Sequence, residues 1–476
     1  MRTLYLFLLL PFFGLGQTQI GDAINGVSAG DYYGEKIGLS SDGTTLIVAS
    51  REYNSYSGLV RVYKNISNSW IQQGQDLTGL MIPGSFFGSD VAISSNGNII
   101  AVSSINTPGN FYGKVRLYEN ISDIWTQIGE INDADTAEVI SLSADGNTLA
   151  IGDPYNAVQN TAGKVKVYTR SSGSWIPVGQ DINGFFSNMA FGKKVALSGD
   201  GTTLAIGAPY YEQFLNSGGI ALVYRNINSQ WVQIGQGVYG EQNFDYTGDS
   251  ISLSYNGNIL AVGTPLNGSN GSYNGKVRIY VNNNDVWEPQ GVLTGDTGDF
   301  FGASVSLSED GTMIAVGSNQ NSNNGFRSGN TKLFKYLLNT WSQVGNTING
   351  QAAEDYSSSC VSLSASGLTL AINAPQNDTN GNNSGQVRVY DLSNILSSKG
   401  FNFNNFTISP NPTSDIVNIN LKDGLELQKV NIYTTSGQLL KTEKSNSLKI
   451  NNLSKGTYYI EVVTNKGKAT KTIVVE

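Results

Sequence analysis

One unit recurs seven times along the chain, and nothing else in the sequence narrows the fold as much. Its clearest copy runs from Phe191 to Gly235 and reads FGKKVALSGDGTTLAIGAPYYEQFLNSGGIALVYRNINSQWVQIG. Four short apolar runs are visible in it: VALS, LAIGAP, IALVY and WVQIG. Each is too short for a helix and rich in Val, Ile, Leu and Tyr, so each predicts a strand. Asp200-Gly201 tolerates positive φ and closes a tight hairpin between the first two runs. The equivalent glycines are Gly43, Gly97, Gly146, Gly201, Gly257, Gly311 and Gly367, spaced by 54, 49, 55, 56, 54 and 56 residues. That period lies in the range of propeller blades. A lone four-stranded meander cannot bury both its faces. The expected architecture is therefore all-β, a seven-bladed β-propeller over residues 17–391.

Side-chain patterns place the strands within a blade. Runs one and two are apolar or small on both faces, as for strands sandwiched between neighbouring sheets. Run three alternates, with Val277 and Ile279 on one face and Lys276 and Arg278 on the other, which predicts a half-exposed strand nearer the rim. Run four is marked by Trp70, Trp125, Trp175, Trp231, Trp287 and Trp341, six tryptophans for seven units. The seventh unit stops at Tyr390 without a fourth run. Thr18-Gln19-Ile20-Gly21 matches Thr126-Gln127-Ile128-Gly129. The N-terminal segment is therefore expected to supply the outer strand of the last blade and to remove the edges of an open array.

Composition excludes several chemistries. There is no histidine, which removes Ser-His-Asp and Cys-His catalysis and His-ligated zinc. Cys360 is the one cysteine. It lies in the run SSSCVSLS, where a small buried core residue is expected. The net charge is −8, and no cluster of Lys and Arg offers a surface for phosphates, so nucleic acid is not an expected partner. Arg2 precedes a short apolar core, Leu4 to Phe13, followed by Gly14 and Gly16. This pattern predicts a signal peptide over 1–16, cleaved between Gly16 and Gln17. The core is too short to span a membrane, and no later run approaches that length.

After Tyr390 the period ends. An Asn- and Ser-rich stretch, 392–405, reads as a linker. Residues 401–476 carry a net charge of +3 against −12 for residues 3–400, and this reversal marks a separate domain. It alternates in short strands, IVNINL, KVNIYTT, QLLKTE, LKIN, TYYIEVVT and KTIVV, which predict a small β-sandwich over 406–476.

Two resemblances follow from these motifs. Phe191-Gly192 with Gly207-Ala208-Pro209 resembles the FG-GAP repeat of integrin-α-like propellers, and the likeness recurs at Phe87-Gly88, Phe301-Gly302 and Ala374-Pro375. In that family the N-terminal segment also closes the last blade. Many members hold calcium in an Asp-rich loop between the first two strands. Here those loops are short Ser-Asp-Gly turns without alternating carboxylates, so no metal or other cofactor is expected. The C-terminal segment resembles the sorting domain of the type IX secretion system of Bacteroidetes. The resemblance rests on Pro410-Asn411-Pro412, Val430 to Tyr433 with Ser436-Gly437-Gln438, Gly456 with Tyr458, and the final Thr472 to Val475. It implies recognition by the type IX machinery, passage across the outer membrane, removal of the domain, and release or attachment at the surface.

Two sets of candidate ligand-binding residues emerge. Loops following run two carry Tyr53, Tyr56, Phe111, Tyr112, Tyr155, Tyr210, Tyr211, Phe214, Tyr273 and Phe326. Loops on a rigid scaffold commonly carry binding, and aromatics there suit a glycan or a surface protein. An acid also recurs before the first strand, at Asp31, Asp135, Asp245, Asp299 and Asp355. These are candidates for a carboxylate ring at the channel mouth, with capping of their own loops as the alternative. No spacing singles out a catalytic pair. The expected function is an exported, non-catalytic binding or adhesion module, secreted or held at the outer cell surface. The rivals are a carbohydrate-active enzyme using paired carboxylates and a structural matrix protein.

Overall fold

The computed structural model describes the chain except for residues 1–15, 80–83, 106–112, 135–136, 156–161, 214, 269–271, 397–405, 423, 436–437 and 465–466. The expected signal peptide and most of the expected linker lie outside the described residues. Two compact units are present, Met1–Leu392 and Ser393–Glu476. No helix among the described residues is long and apolar enough to cross a membrane.

The first unit contains seven antiparallel sheets, each built from consecutive strands with one exception. In the fourth repeat the strands are Lys194–Leu197, Thr203–Ala208, Ile220–Ile227 and Gln230–Gln233. The second strand is buried along its whole length, because apolar side chains leave both its faces for the cores shared with the adjoining sheets. The exception is the sheet of the last repeat. Its outer strand is Thr18–Gln19, with Thr18 opposite Asp391 and Gln19 opposite Tyr390. Ile24–Asn25 pairs further along the same strand. The side chain of Gln17 bonds the Asn346 backbone in both directions, so the N-terminal segment also grips the preceding sheet.

One reading of the third strand needs correction. Arg278 is buried, not rim-exposed. Its guanidinium reaches the Thr247 hydroxyl at 3.1 Å and Glu241 at 3.6 Å, and these contacts take the charge inside the sheet packing.

The phenylalanine-glycine and glycine-alanine-proline signals turn out to be two halves of one contact. Gly248, at φ +90°, donates its N–H to the Gly263 carbonyl of its own sheet at 3.1 Å. Its carbonyl oxygen presses on Gly207 of the preceding sheet, where a Cβ would come within 2.0 Å of it. Only glycine leaves room for backbone to meet backbone at this seam. The aromatic beside the glycine, Tyr33, Phe87, Phe191 or Phe301, is wholly buried as the wedge between sheets.

At the hairpin end the first strands join in a circle of backbone hydrogen bonds. Ser41 donates to Ser95, Ser95 to Ala144, Ala144 to Gly199, Asp200 to Tyr255, Tyr255 to Glu309, Glu309 to Ala365, and Ala365 back to Ser41, at 2.8–3.3 Å. The Leu and Ile side chains just above this circle, Leu39, Ile93, Leu142, Leu253, Leu307 and Leu363, form an apolar collar.

The second unit has a three-stranded and a four-stranded sheet. They share a core that includes Phe406, Val417, Ile419, Ile432, Ile460 and Ile473.

Candidate functional site

The opposite end of the first unit opens on a cavity of about 360 Å³. The residue following the positive-φ seam position, a glycine in five sheets and Ala137 or Ser358 in the other two, lines it from successive sheets. Those residues are Glu35, Ser89, Glu138, Lys193, Asp249, Ala303 and Ser359, with Lys36, Lys194, Arg51 and Cys360 beside them. The site is thus held directly beside the close-packed seam between sheets, and its chemistry varies from sheet to sheet.

Two ion pairs cross it. Arg51 meets Glu35 at 2.9 Å, and Lys193 meets Glu138. Among the described residues neither Lys36 nor Lys194 closes an ion pair, and the Asp249 carboxylate has no hydrogen-bond donor. Asp249 touches solvent only through the cavity. Burial pushes its pKa up, against the pull of Lys193, Lys194 and Lys36. Burial likewise raises Glu35 in spite of Arg51, and Glu35 Oε2 and Arg51 Nε are buried without a partner. Burial pulls Lys36 down, but Asp90, Cys360 and Glu35 together outweigh it and hold the ammonium above its ordinary range. Asp90 is itself engaged by the Ile140 N–H at 2.9 Å.

The aspartates expected at the mouth do not line this cavity. Asp31 accepts the N–H groups of Val27 and Ser28. Asp245 accepts those of Glu241 and Gln242, and also the Asn267 amide at 2.9 Å. Asp299 and Asp355 repeat the arrangement with Asn321 and Asn377. Each carboxylate caps its own loop, because short-range N–H donors compete well for a carboxylate next to a turn. Asp135 lies outside the described residues. Cys360 is half-buried: it packs against the core, and it also lines the cavity.

The candidate aromatics divide into separate groups. Tyr155 is exposed at the cavity rim with Lys193 Nζ 5.3 Å from its ring centroid. Tyr210 stands beside Tyr155, and burial raises its pKa, with Tyr155 adding to the effect. Tyr56 is exposed and packs on Phe86, with centroids 5.2 Å apart. Tyr53 is half-buried against the core. Tyr211 is turned inward among Phe185, Phe186 and Tyr239. Tyr273 packs on Phe300, and Phe326 lies separately under Arg327. Phe111, Tyr112 and Phe214 lie outside the described residues. Sequence reasoning missed the second row of aromatics, Tyr32, Phe86, Tyr246, Phe300 and Tyr356, all at positive φ immediately before the seam. It also missed the charged residues immediately after the seam. Reading each position of the repeat down the seven copies would have exposed both.

In the second unit, Asn411 gives the Pro-Asn-Pro signal a physical meaning. Its amide donates to the Thr472 carbonyl at 3.0 Å and accepts the Val474 N–H at 2.8 Å, pinning the last strand between Pro410 and Pro412. Tyr458 donates its hydroxyl to the Ser454 carbonyl at 2.8 Å, beside Gly456. Gly437 lies outside the described residues.

Residues 407–476 match the family described as secretion system C-terminal sorting domain. Residues 293–334 match the FG-GAP repeat. The chain carries an FG-GAP repeat and a type IX sorting domain. The sorting domain marks it for export to the cell surface or beyond and implies contact with the type IX machinery. No curated protein matches the chain. Among solved structures, a chain of the mitotic checkpoint complex is 15% identical, with 82% of this chain and 98% of that one covered and a TM-score of 0.51. This likeness concerns the fold alone. The RRP9 WD40 repeats give 12% identity, coverage of 79% and 97%, and a TM-score of 0.49. The periplasmic gluconolactonase PpgL of Pseudomonas aeruginosa gives 16%, 88% and 95%, and 0.47.

Proposed function

We propose that the first unit is a seven-bladed propeller that binds an extracellular ligand at its mouth without turning it over, serving adhesion or capture at the cell surface. The sorting domain would be removed after export. Seven sheets and an unbroken circle of seven hydrogen bonds support the blade count. The observation that carries the binding reading is the cavity itself. Charged groups from several sheets line it, and two of them, Lys194 and Asp249, have no ion-pair or hydrogen-bond partner for their charged groups among the described residues. Unpaired charges of this kind lower stability, and a ligand that satisfies them supplies a reason for their presence. Glycan and surface-protein arrays probed with the purified protein test this. Saturable binding that is lost in Lys193→Ala supports it. The absence of any saturable ligand points to a matrix role instead.

A second reading has one observation in its favour. Glu35 and Asp249 share the cavity and both have pKa values raised by burial, the condition under which a carboxyl acts as a general acid. Polysaccharide turnover that vanishes in Glu35→Gln or Asp249→Asn would establish an enzyme.

A further inference from the structure

We infer that the mouth cavity receives the carboxylated end of a saccharide chain, inserted end-on; this rests on the binding reading above and names the ligand class.

The cavity does not continue into the far end of the channel: the collar that includes Leu39, Leu142 and Leu253 lines a separate cavity of about 170 Å³ with the residues of the hydrogen-bonded circle. An apolar collar gives a charged, hydroxyl-rich polymer no polar partners on the way through, which favours entry of a terminus over threading. About 360 Å³ accommodates a sugar unit at a chain end, at the small end of ligand cavities.

The charges select the terminus. Four cations line the cavity, Lys36, Arg51, Lys193 and Lys194, against three acids, Glu35, Glu138 and Asp249. Pairing removes Arg51 with Glu35 and Lys193 with Glu138. What remains is Lys194 with no acid in ion-pair reach, Lys36 facing Asp90, and Asp249 with no donor. A ligand that satisfies this remainder carries an anion for Lys194 and Lys36 and hydroxyl donors for Asp249 and the unpaired Glu35 Oε2. A hexuronate end supplies both. An isolated anion would leave the two acceptors unsatisfied, and a neutral sugar would leave the lysines unsatisfied. The exposed ring of Tyr155, beside Lys193, offers a flat face to the next sugar unit.

The test applies the full-length protein to oligosaccharides of matched length. They carry a uronate at the non-reducing end, a uronate only at internal positions, a sulfated end, or no charge. Binding confined to the terminal uronates is expected. Lys194→Gln should weaken it about tenfold or more, the worth of a hydrogen bond to a charged group, while Lys194→Arg retains it. Free hexuronate should compete with the unaltered protein, a measurement that needs no variant to fold. Equal binding of neutral, sulfated or internal-uronate chains overturns the inference and leaves the binding reading standing. So does Lys194→Gln binding as tightly as the parent, or failure of free hexuronate to compete. Absence of any saturable ligand, glycan or protein, sinks both together.

Discussion

At the closed end of the propeller one solution is repeated seven times, and at the mouth no two neighbouring sheets agree. Ser40, Ser94, Ser143, Ser198, Ser254, Ser308 and Ser364 are all essentially inaccessible. Each accepts the N–H of the residue five positions on, at 2.9–3.0 Å. Six of them also donate to, or share a bond with, the Asp or Asn of the turn. These serines finish a hairpin, a task every sheet shares. The residue after the seam position has no such shared task. It is Glu35 paired with Arg51 in one sheet, Lys193 paired with Glu138 in another, Asp249 without a donor among the described residues, or the uncharged Ala303. Uniformity down the repeat therefore marks what folds the chain, and departure from it marks what the chain does.

The strongest way to break this contrast is at the seam, which serves both ends. Gly207→Val drives a side chain into the Gly248 carbonyl. A loss above about 4 kcal/mol is expected, the range reserved for backbone clashes in a core. Urea unfolding should show no cooperative native baseline. A variant that melts like the parent would mean the sheets are not pressed together as described. Next in size is Ser198→Ala. It strands the buried Thr203 N–H and should cost roughly 1–3 kcal/mol. Ser254→Ala should fall in the same range, since it accepts at the same 2.9 Å, although it donates to the Asn256 amide at 2.9 Å where Ser198 donates to the Asp200 carboxylate at 2.5 Å. A loss outside that range would show that the hairpin end is less uniform than its geometry.

The same contrast explains what the sequence disclosed. Strands, hairpins and the closing N-terminal strand were legible because the turn glycines and apolar runs answer to local rules that act alike in every copy. Asp245 was legible as a recurrent acid but not as a cap, since the loop that supplies its N–H partners is shaped by the fold. Arg278 looked rim-exposed because alternation reports two faces and says nothing of what covers the second. Lys193, Asp249 and Cys360 were invisible as a group. With Glu35 and Glu138 they lie in five of seven units, meet only when the ring closes, and share no residue type that a motif could describe.

Asp245 and Asp249 reduce the contrast to one loop, four residues long, and give the smallest and most specific prediction. Asp245 accepts two N–H bonds and the Asn267 amide. Asp245→Asn turns one acceptor toward donors and should cost roughly 1–3 kcal/mol. Asp249→Asn should have the opposite sign. Burial raises the folded-state pKa of Asp249 above its ordinary value, so at neutral pH the native state holds a charge that the unfolded chain solvates better. Removing that charge should therefore raise stability at pH 7. As the pH falls, the native carboxyl takes its proton before the unfolded one does, and the parent regains stability. The advantage of Asp249→Asn should therefore shrink through the raised native pKa and disappear below about pH 3.9, the unfolded value. Denaturant unfolding of both variants at pH 7 and at acid pH measures this. Were Asp249→Asn to lose stability at neutral pH as Asp245→Asn does, Asp249 would be serving the fold like its neighbour, and the mouth would lose its claim to be different.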